Sequence, residues 1–290
     1  MSRFIAAPAV PLGDIPNRVH FLYHNHQFEG LANNLNSDRA LPAGRGVVHT
    51  SGLGPLGEYE EVNGDVMPQS THSAAHAQGN VVSFWLNSQT APTHSPYKVG
   101  QWAYCWQNDI FPWAGNHSAR LCADFQATLP HSTTTGGSVN YAYMAMAIRD
   151  CATQTVFWVQ NSCYDSRGDQ MRVEGLVWWA EMKNVIALGF YGGQRYCTPL
   201  PNSRHIQGKT WRDWRYFGAS ISAPQLLHMV CEANRRFNLQ CSGNLDQYRL
   251  ELIGVGPEMC VRDGQNGSMG MQIKDLRVFT WQRDMNASKQ

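Results

Sequence analysis

Leu121-Cys122-Ala123-Asp124-Phe125-Gln126-Ala127-Thr128-Leu129 sets one apolar row, Leu121, Ala123, Phe125, Ala127 and Leu129, against Cys122, Asp124, Gln126 and Thr128. A period of two is that of a half-buried β-strand, whose side chains alternate between core and exterior. The pattern continues outward. Ser138 to Arg149 follows the turn-like Thr133 to Gly137, and Thr155 to Gln160 follows Asp150 to Gln154, so 138–160 is predicted to be a β-hairpin. Gln170 to Lys183 and Val185 to Tyr191 are two further apolar, aromatic runs with a short polar break, again hairpin-like. Antiparallel pairing is expected throughout.

Later runs at Tyr248 to Val255 and Met271 to Trp281 complete the strands. In the last, apolar Met271 and Ile273 give way to Leu276 and Val278, an offset at Asp275 that predicts a β-bulge. One segment departs from strand periodicity. Ser222 stands three residues before Gln225, Pro224 lies in the first turn, Leu226, Val230, Ala233 and Phe237 recur at helical spacing, and Arg235 and Arg236 close the run. These are the start and stop signals of an amphipathic helix over 222–237.

Residues 1–100 are rich in Gly, Pro, Asn, Ser and His, with Leu41 to Gly46 and Ser51 to Gly57 breaking any regular period. They are expected to form loops and short strands, Val81 to Leu86 among them, that wrap a β-sandwich over 101–284. No Pro/Ser linker separates two self-sufficient patterns, so one continuous domain is predicted. The fold class is mainly β, an antiparallel jelly-roll β-sandwich with one helix and a loop-rich N-terminal region.

Composition narrows the function. The 290 residues carry 23 basic and 22 acidic side chains for a net charge of +1, which leaves no cationic surplus for nucleic acid. No run of about 18 uncharged apolar residues is present to span a bilayer. Met1 to Leu12 lacks the basic start and apolar run of a signal peptide, as a mature secreted fragment also would. Charged residues make up 16% of the chain, below the roughly 25% typical of globular domains, while Trp occurs 10 times. Amides, hydroxyls and aromatic rings without net charge suit a neutral polar ligand such as a sugar.

The eight cysteines are Cys105, Cys122, Cys151, Cys163, Cys197, Cys231, Cys241 and Cys260. An even number without any C-x-x-C pair points to disulfides or buried thiols rather than zinc or a redox motif. A disulfide framework in an extracellular or periplasmic protein is the expectation.

The successive strands from Leu121 to Trp281, closed by Met271-Gln272-Ile273-Lys274-Asp275-Leu276-Arg277-Val278, resemble the concanavalin A-like jelly-roll superfamily of lectins, glucanases and several polysaccharide lyases. The resemblance implies a concave face that binds carbohydrate. The chain lacks the E-x-D-x-x-E strand motif of one glucanase group and the motif set of alginate lyases.

Candidate ligand-binding residues are Trp102, Tyr104, Trp106 and Trp113 in the densest aromatic cluster, then Trp178, and the patch Trp211, Arg212 and Trp214. Trp102, Tyr104 and Trp106 share one parity and would form a stripe on a strand. Glu174 is the candidate catalytic carboxylate, beside Trp178 and free to meet Asp165, Glu251 or Glu258 from another strand. It cannot act with Glu181: seven strand residues put them on opposite faces about 23 Å apart, against the 5 to 10 Å that glycoside hydrolysis requires. His24 with His26, and His72 with His76, have spacings that could chelate a transition metal, and Asp263 to Gly267 has some calcium-loop character. No cofactor is required. Ser220 sits in a weak nucleophile-elbow pattern that helix capping explains. Carbohydrate binding is the first expectation, with polysaccharide cleavage on the same scaffold and a structural or assembly role, including homo-oligomers, as alternatives.

Overall fold

The computed structural model describes residues 17–24, 28–32, 46–51, 61–62, 65–66, 74–78, 81–88, 97–168, 174–190, 195–206, 213–261 and 265–283. Before residue 81, and over 97–109 apart from Ala103, the backbone alone is described. In chain order the strands are β1 (Asn17–His24), β2 (Phe28–Ala32), β3 (Gly46–Ser51), β4 (Glu61–Val62), β5 (Asp65–Val66), β6 (Ala74–Gln78), β7 (Val81–Asn87) and β8 (Tyr97–Ile110). They continue as β9 (Arg120–Thr135), β10 (Val139–Asp150), β11 (Val156–Asp165), β12 (Gly175–Trp179), β13 (Asn184–Phe190), β14 (Thr198–Pro199) and β15 (Arg215–Ser222). Helix α1 (Ala223–Phe237), β16 (Tyr248–Val261) and β17 (Asn266–Arg283) complete the chain.

Among the described residues these strands form a β-sandwich. A seven-stranded sheet runs β14-β15-β9-β17-β7-β6, with β1 also paired to β17, and an eight-stranded sheet runs β12-β13-β11-β10-β16-β8-β3-β2. The minor pair β4 and β5 stands apart. The apolar row of β9 behaves as its alternation predicts: Leu121, Ala123, Phe125, Ala127 and Leu129 all enter the core between the sheets, which also takes Val82, Phe84 and Leu86 from β7. From the facing sheet come Met144, Met146 and Ile148 of β10.

Two expectations need correction. The pairing is not wholly antiparallel, because β13 lies parallel to β11 and β2 parallel to β3. The β12–β13 hairpin forms as predicted, but β13 inserts between β12 and β11, so it meets β11 in the same direction. The second concerns β9, which is buried on both faces. Its outward row is closed by Cys122 packing with Leu200 and Phe279, and by Asp124, which is 0% exposed. The Arg277 guanidinium donates from Nε to Asp124 Oδ1 at 2.6 Å and from Nη2 to Oδ2, and the Tyr216 hydroxyl donates to Oδ2 at 2.9 Å. A dry carboxylate requires such a set of donors.

The bulge falls where the offset placed it. Asp275 takes φ of 56°, the register of β17 against β9 shifts between Lys274 and Arg277, and Leu276 and Val278 return to the core. The helix is capped as read, with the Ser222 and Gln225 side chains and backbone amides exchanging hydrogen bonds, and Asn238 ends it at φ of 54°. Its buried stripe of Leu226, Met229, Val230 and Ala233 completes one end of the core.

The expected disulfide framework is absent among the described residues: Cys122, Cys151, Cys163, Cys197, Cys231, Cys241 and Cys260 are free thiols. The side chain of Cys105 lies outside the described residues. Burial pushes the Cys122 and Cys163 thiols far up and Cys197 up to about 12, so they behave as small apolar groups.

Thiol titration of the native protein is expected to label the exposed Cys231 first and to leave Cys122, Cys163 and Cys197 unmodified until denaturant is added. Arg277→Met strands the Asp124 carboxylate without its cation and should cost about 3 to 5 kcal/mol of stability, measured by urea unfolding.

Candidate functional site

The two faces of β10 differ in chemistry. Ala142, Met144, Met146 and Ile148 point into the sandwich, which leaves Tyr141, Tyr143, Ala145, Ala147 and Arg149 on the outer face of the eight-stranded sheet. Register brings neighbours beside each of them. Tyr141 stands between Asp165 of β11 and Glu258 of β16, and Tyr143 between Ser162 and Gly256. Ala145 stands between Gln160 and Gly254, and Ala147 between Trp158 and Leu252. Farther out, Trp158 pairs with Ile186, which pairs with Val177, and Val156 with Asn184, which pairs with Trp179.

This face therefore has three parts. One end carries a carboxylate and phenols. Its middle is floored by Ala145, Ala147, Gly254 and Gly256, whose side chains leave the backbone low. The other end carries aromatic and amide groups: Trp158 and Gln160 are half-buried, while Trp179 is 49% exposed and Val177 48% exposed at the sheet edge.

At the carboxylate end, Glu258 is 7% exposed and accepts a hydrogen bond from the Tyr141 hydroxyl at Oε1 and one from the Tyr143 hydroxyl at Oε2, the latter at 2.8 Å. The two phenol rings stack, with centroids 6.1 Å apart and planes at 20°. Burial, reinforced by the adjacent Glu258 carboxylate, raises the Tyr141 hydroxyl well above the usual phenol range, so it stays a proton donor. The clamp fixes the Glu258 carboxylate rather than leaving it to rotate. Asp165 lies in the same cross-strand row, held by Arg167 through Nε at 2.9 Å and Nη2 at 2.6 Å. Two strand spacings separate the Glu258 and Asp165 backbones, about 10 Å. Glu251 is committed elsewhere, to Arg149, whose Nε lies 3.0 Å from both of its carboxylate oxygens.

The residues singled out from sequence are dispersed by the fold. Glu174 meets none of Asp165, Glu251 or Glu258; its Oε1 accepts the Arg195 backbone N–H at 3.1 Å. Arg195 belongs to a network on α1, where the buried Glu232 accepts from Arg195 Nη2 at 2.9 Å, the Tyr196 hydroxyl at 3.0 Å and Arg236 Nη1 at 2.9 Å. Trp178 is half-buried, packs on the core and stacks against Phe237 of α1 at 6.5 Å. Trp113 is 0% exposed within the core, which corrects its reading as a ligand-binding ring. Trp214 is half-buried with Lys274 Nζ 4.2 Å from its ring centroid. The backbone of Trp102 is in register with His49, that of Tyr104 with Gly254 and that of Trp106 with Leu252, which puts this stripe on a strand beside β16. Trp211, Arg212, His26, His72, Asp263 and Gly264 lie outside the described residues, while Asn266 and Gly267 begin β17. His24 is in β1, opposite Arg277, and His76 in β6, opposite Ser83. Among the described residues no group of three or more His, Cys, Asp or Glu could hold a metal.

Tyr141, Tyr143, Trp158 and Trp179 were not picked out from sequence. The signal existed in β10, where Tyr141, Tyr143 and Arg149 alternate with Ala142, Met144 and Ile148, but its meaning depends on the partners that register supplies.

No family model matches the chain, and no curated protein matches it. Solved structures of similar architecture include the xyloglucanase domain of NopAA, a type three effector from Sinorhizobium fredii, in complex with cellobiose. It is 10% identical, with a TM-score of 0.35 over 71% of this chain and 86% of that one. A family 12 xyloglucanase from Bacillus licheniformis is 8% identical, with a TM-score of 0.36 over 72% and 97%. The family 11 xylanase from Neocallimastix patriciarum is 9% identical, with a TM-score of 0.33 over 80% and 99%. At these values the likeness decides nothing about the site.

The Glu232 network makes a pH prediction. Burial alone would raise the Glu232 carboxyl, but the hydrogen bonds from Arg236 and Tyr196 and the charge of Arg195 outweigh it and hold the group below the usual carboxylate range. A depressed carboxyl contributes stability above its unfolded value and loses it as pH falls through the folded one. Glu232→Gln should therefore be less stable than the native protein at neutral pH, with the gap closing as pH falls below about 4, followed by thermal unfolding.

Proposed function

We propose that the outer face of the eight-stranded sheet binds a polysaccharide. The observation that carries this reading is the single continuous face that joins the clamped Glu258 to half-exposed Trp179 across a floor of Ala and Gly. Pyranose rings present C–H faces that lie against indole rings, and hydroxyls that hydrogen-bond to amides and carboxylates. Trp158 and Trp179 supply the first, and Gln160 and Glu258 the second. Ala145 and Ala147 between them are 1% and 2% exposed, so a chain would rest on the taller Trp158, Gln160 and Trp179 rather than on the sheet itself. The ligand class also favours an extracellular or periplasmic protein; the free thiols add nothing to that part of the proposal.

Cleavage on the same face is the second reading, favoured by the row Glu258–Tyr141–Asp165. Backbones about 10 Å apart place two carboxyl groups near the upper end of the separation that inverting glycoside hydrolysis uses, with one as acid and the other as base toward water. Asp165 would have to exchange its Arg167 contact for substrate or water.

Affinity electrophoresis against a panel of neutral and acidic polysaccharides tests the first reading. Retardation by at least one glycan is expected, weakened about tenfold or more by Trp179→Ala and by Glu258→Gln; absence of retardation across the panel overturns it. Reducing-end release from a retarding glycan, lost in both Glu258→Gln and Asp165→Asn, is the outcome expected of the second, and unchanged reducing ends dismiss it.

A further inference from the structure

The outer face of the other sheet carries a nucleophile and base pair that neither reading uses. Ser268 of β17 stands between Thr133 of β9 and Asn87 of β7, and two residues on, Gly270 stands between His131 and Trp85. Successive even positions share a face, so these six residues form one patch. Gly270 has no side chain, and the imidazole and indole close over it, with centroids 4.9 Å apart and planes at 35°. The packed ring aims His131 along the strand at Ser268. Ser268 Oγ lies 2.7 Å from His131 Nε2 and 2.7 Å from Thr133 Oγ1. Ser268 and His131 are both partly exposed.

A hydroxyl at this distance from an imidazole, with the ring itself oriented by a third group, is the arrangement that activates serine. We propose that Ser268 is a nucleophile, with His131 as its general base, that hydrolyses small carboxylic esters such as acetyl esters. With Nε2 unprotonated, His131 takes the Ser268 proton as Oγ bonds to the ester carbonyl carbon. The carbon–oxygen bond to the alcohol then breaks, and the alcohol leaves with the proton that His131 returns. Water, deprotonated by the same imidazole, cleaves the acyl-serine, giving the carboxylic acid and free Ser268. Thr133 fixes the Oγ position. The proposal is independent of glycan binding, since it uses the opposite sheet.

The full chain is incubated with a fluorophosphonate probe, and the adduct is located by peptide mapping. A single adduct at Ser268 is expected, and none there overturns the proposal without recourse to any variant. Hydrolysis of 4-nitrophenyl acetate should fall at least about tenfold in Ser268→Ala and in His131→Gln, each first matched to the native protein by near-ultraviolet circular dichroism. Equal hydrolysis in Ser268→Ala and the native protein also overturns it.

Discussion

The ladder between β9 and β17 is the constraint from which the rest of the molecule is built. It runs from Asn266 opposite Thr135 to Trp281 opposite Arg120, and β17 carries β7 and β1 on its other edge. The central strands of the seven-stranded sheet thus come from segments well over a hundred residues apart in sequence, at a cost in loop entropy that only a large buried area can offset. Around Asp124 and Arg277 both faces of the ladder are dry. Inside lie Phe125, Leu129 and Met271, and outside the Asp124–Arg277 pair locks the same strands together. A buried pair of this kind specifies register more than it adds net stability, because any slip would separate the charges.

That framework holds the facing sheet at a fixed height. With Met144, Met146 and Ile148 engaged inside, β10 has no freedom in what it turns outward, and Tyr141 and Tyr143 are delivered to Glu258 by the same alternation that fills the core. The carboxylate is oriented by two phenols on the adjacent strand, so its geometry is as rigid as the sheet. Preorganisation of this sort limits the entropy lost when a ligand arrives.

Much of the fold was legible in the sequence because its signals are local. Strand parity at 121–129, the Ser222–Gln225 cap and the Asp275 offset each involve residues within one element, and each is found where it was read. The site was less legible, because it consists of cross-strand neighbours: Tyr141 and Glu258 are 117 positions apart. Proximity in sequence misled in the opposite direction. Glu174 beside Trp178 looked like a carboxylate with a stacking ring, but the ring turns to Phe237 and the carboxylate to a backbone amide. Cysteine number likewise indicated disulfides, whereas the burial that keeps Cys122, Cys163 and Cys197 inert comes from packing that no count reveals.

The bulge at Asp275 has a consequence for how this chain can vary. Because the left-handed residue resets the alternation, Met271 and Ile273 before it and Leu276 and Val278 after it face the same way although they differ in parity. Losing that one residue would remove the bulge and leave Ile273 and Leu276 two positions apart, in regular alternation with the core row intact. Losing one residue elsewhere in β17 with the bulge kept would turn the strand beyond it inside out. Asp275 is therefore the position at which a single deletion keeps phase, and elsewhere in the strand indels must come in even steps.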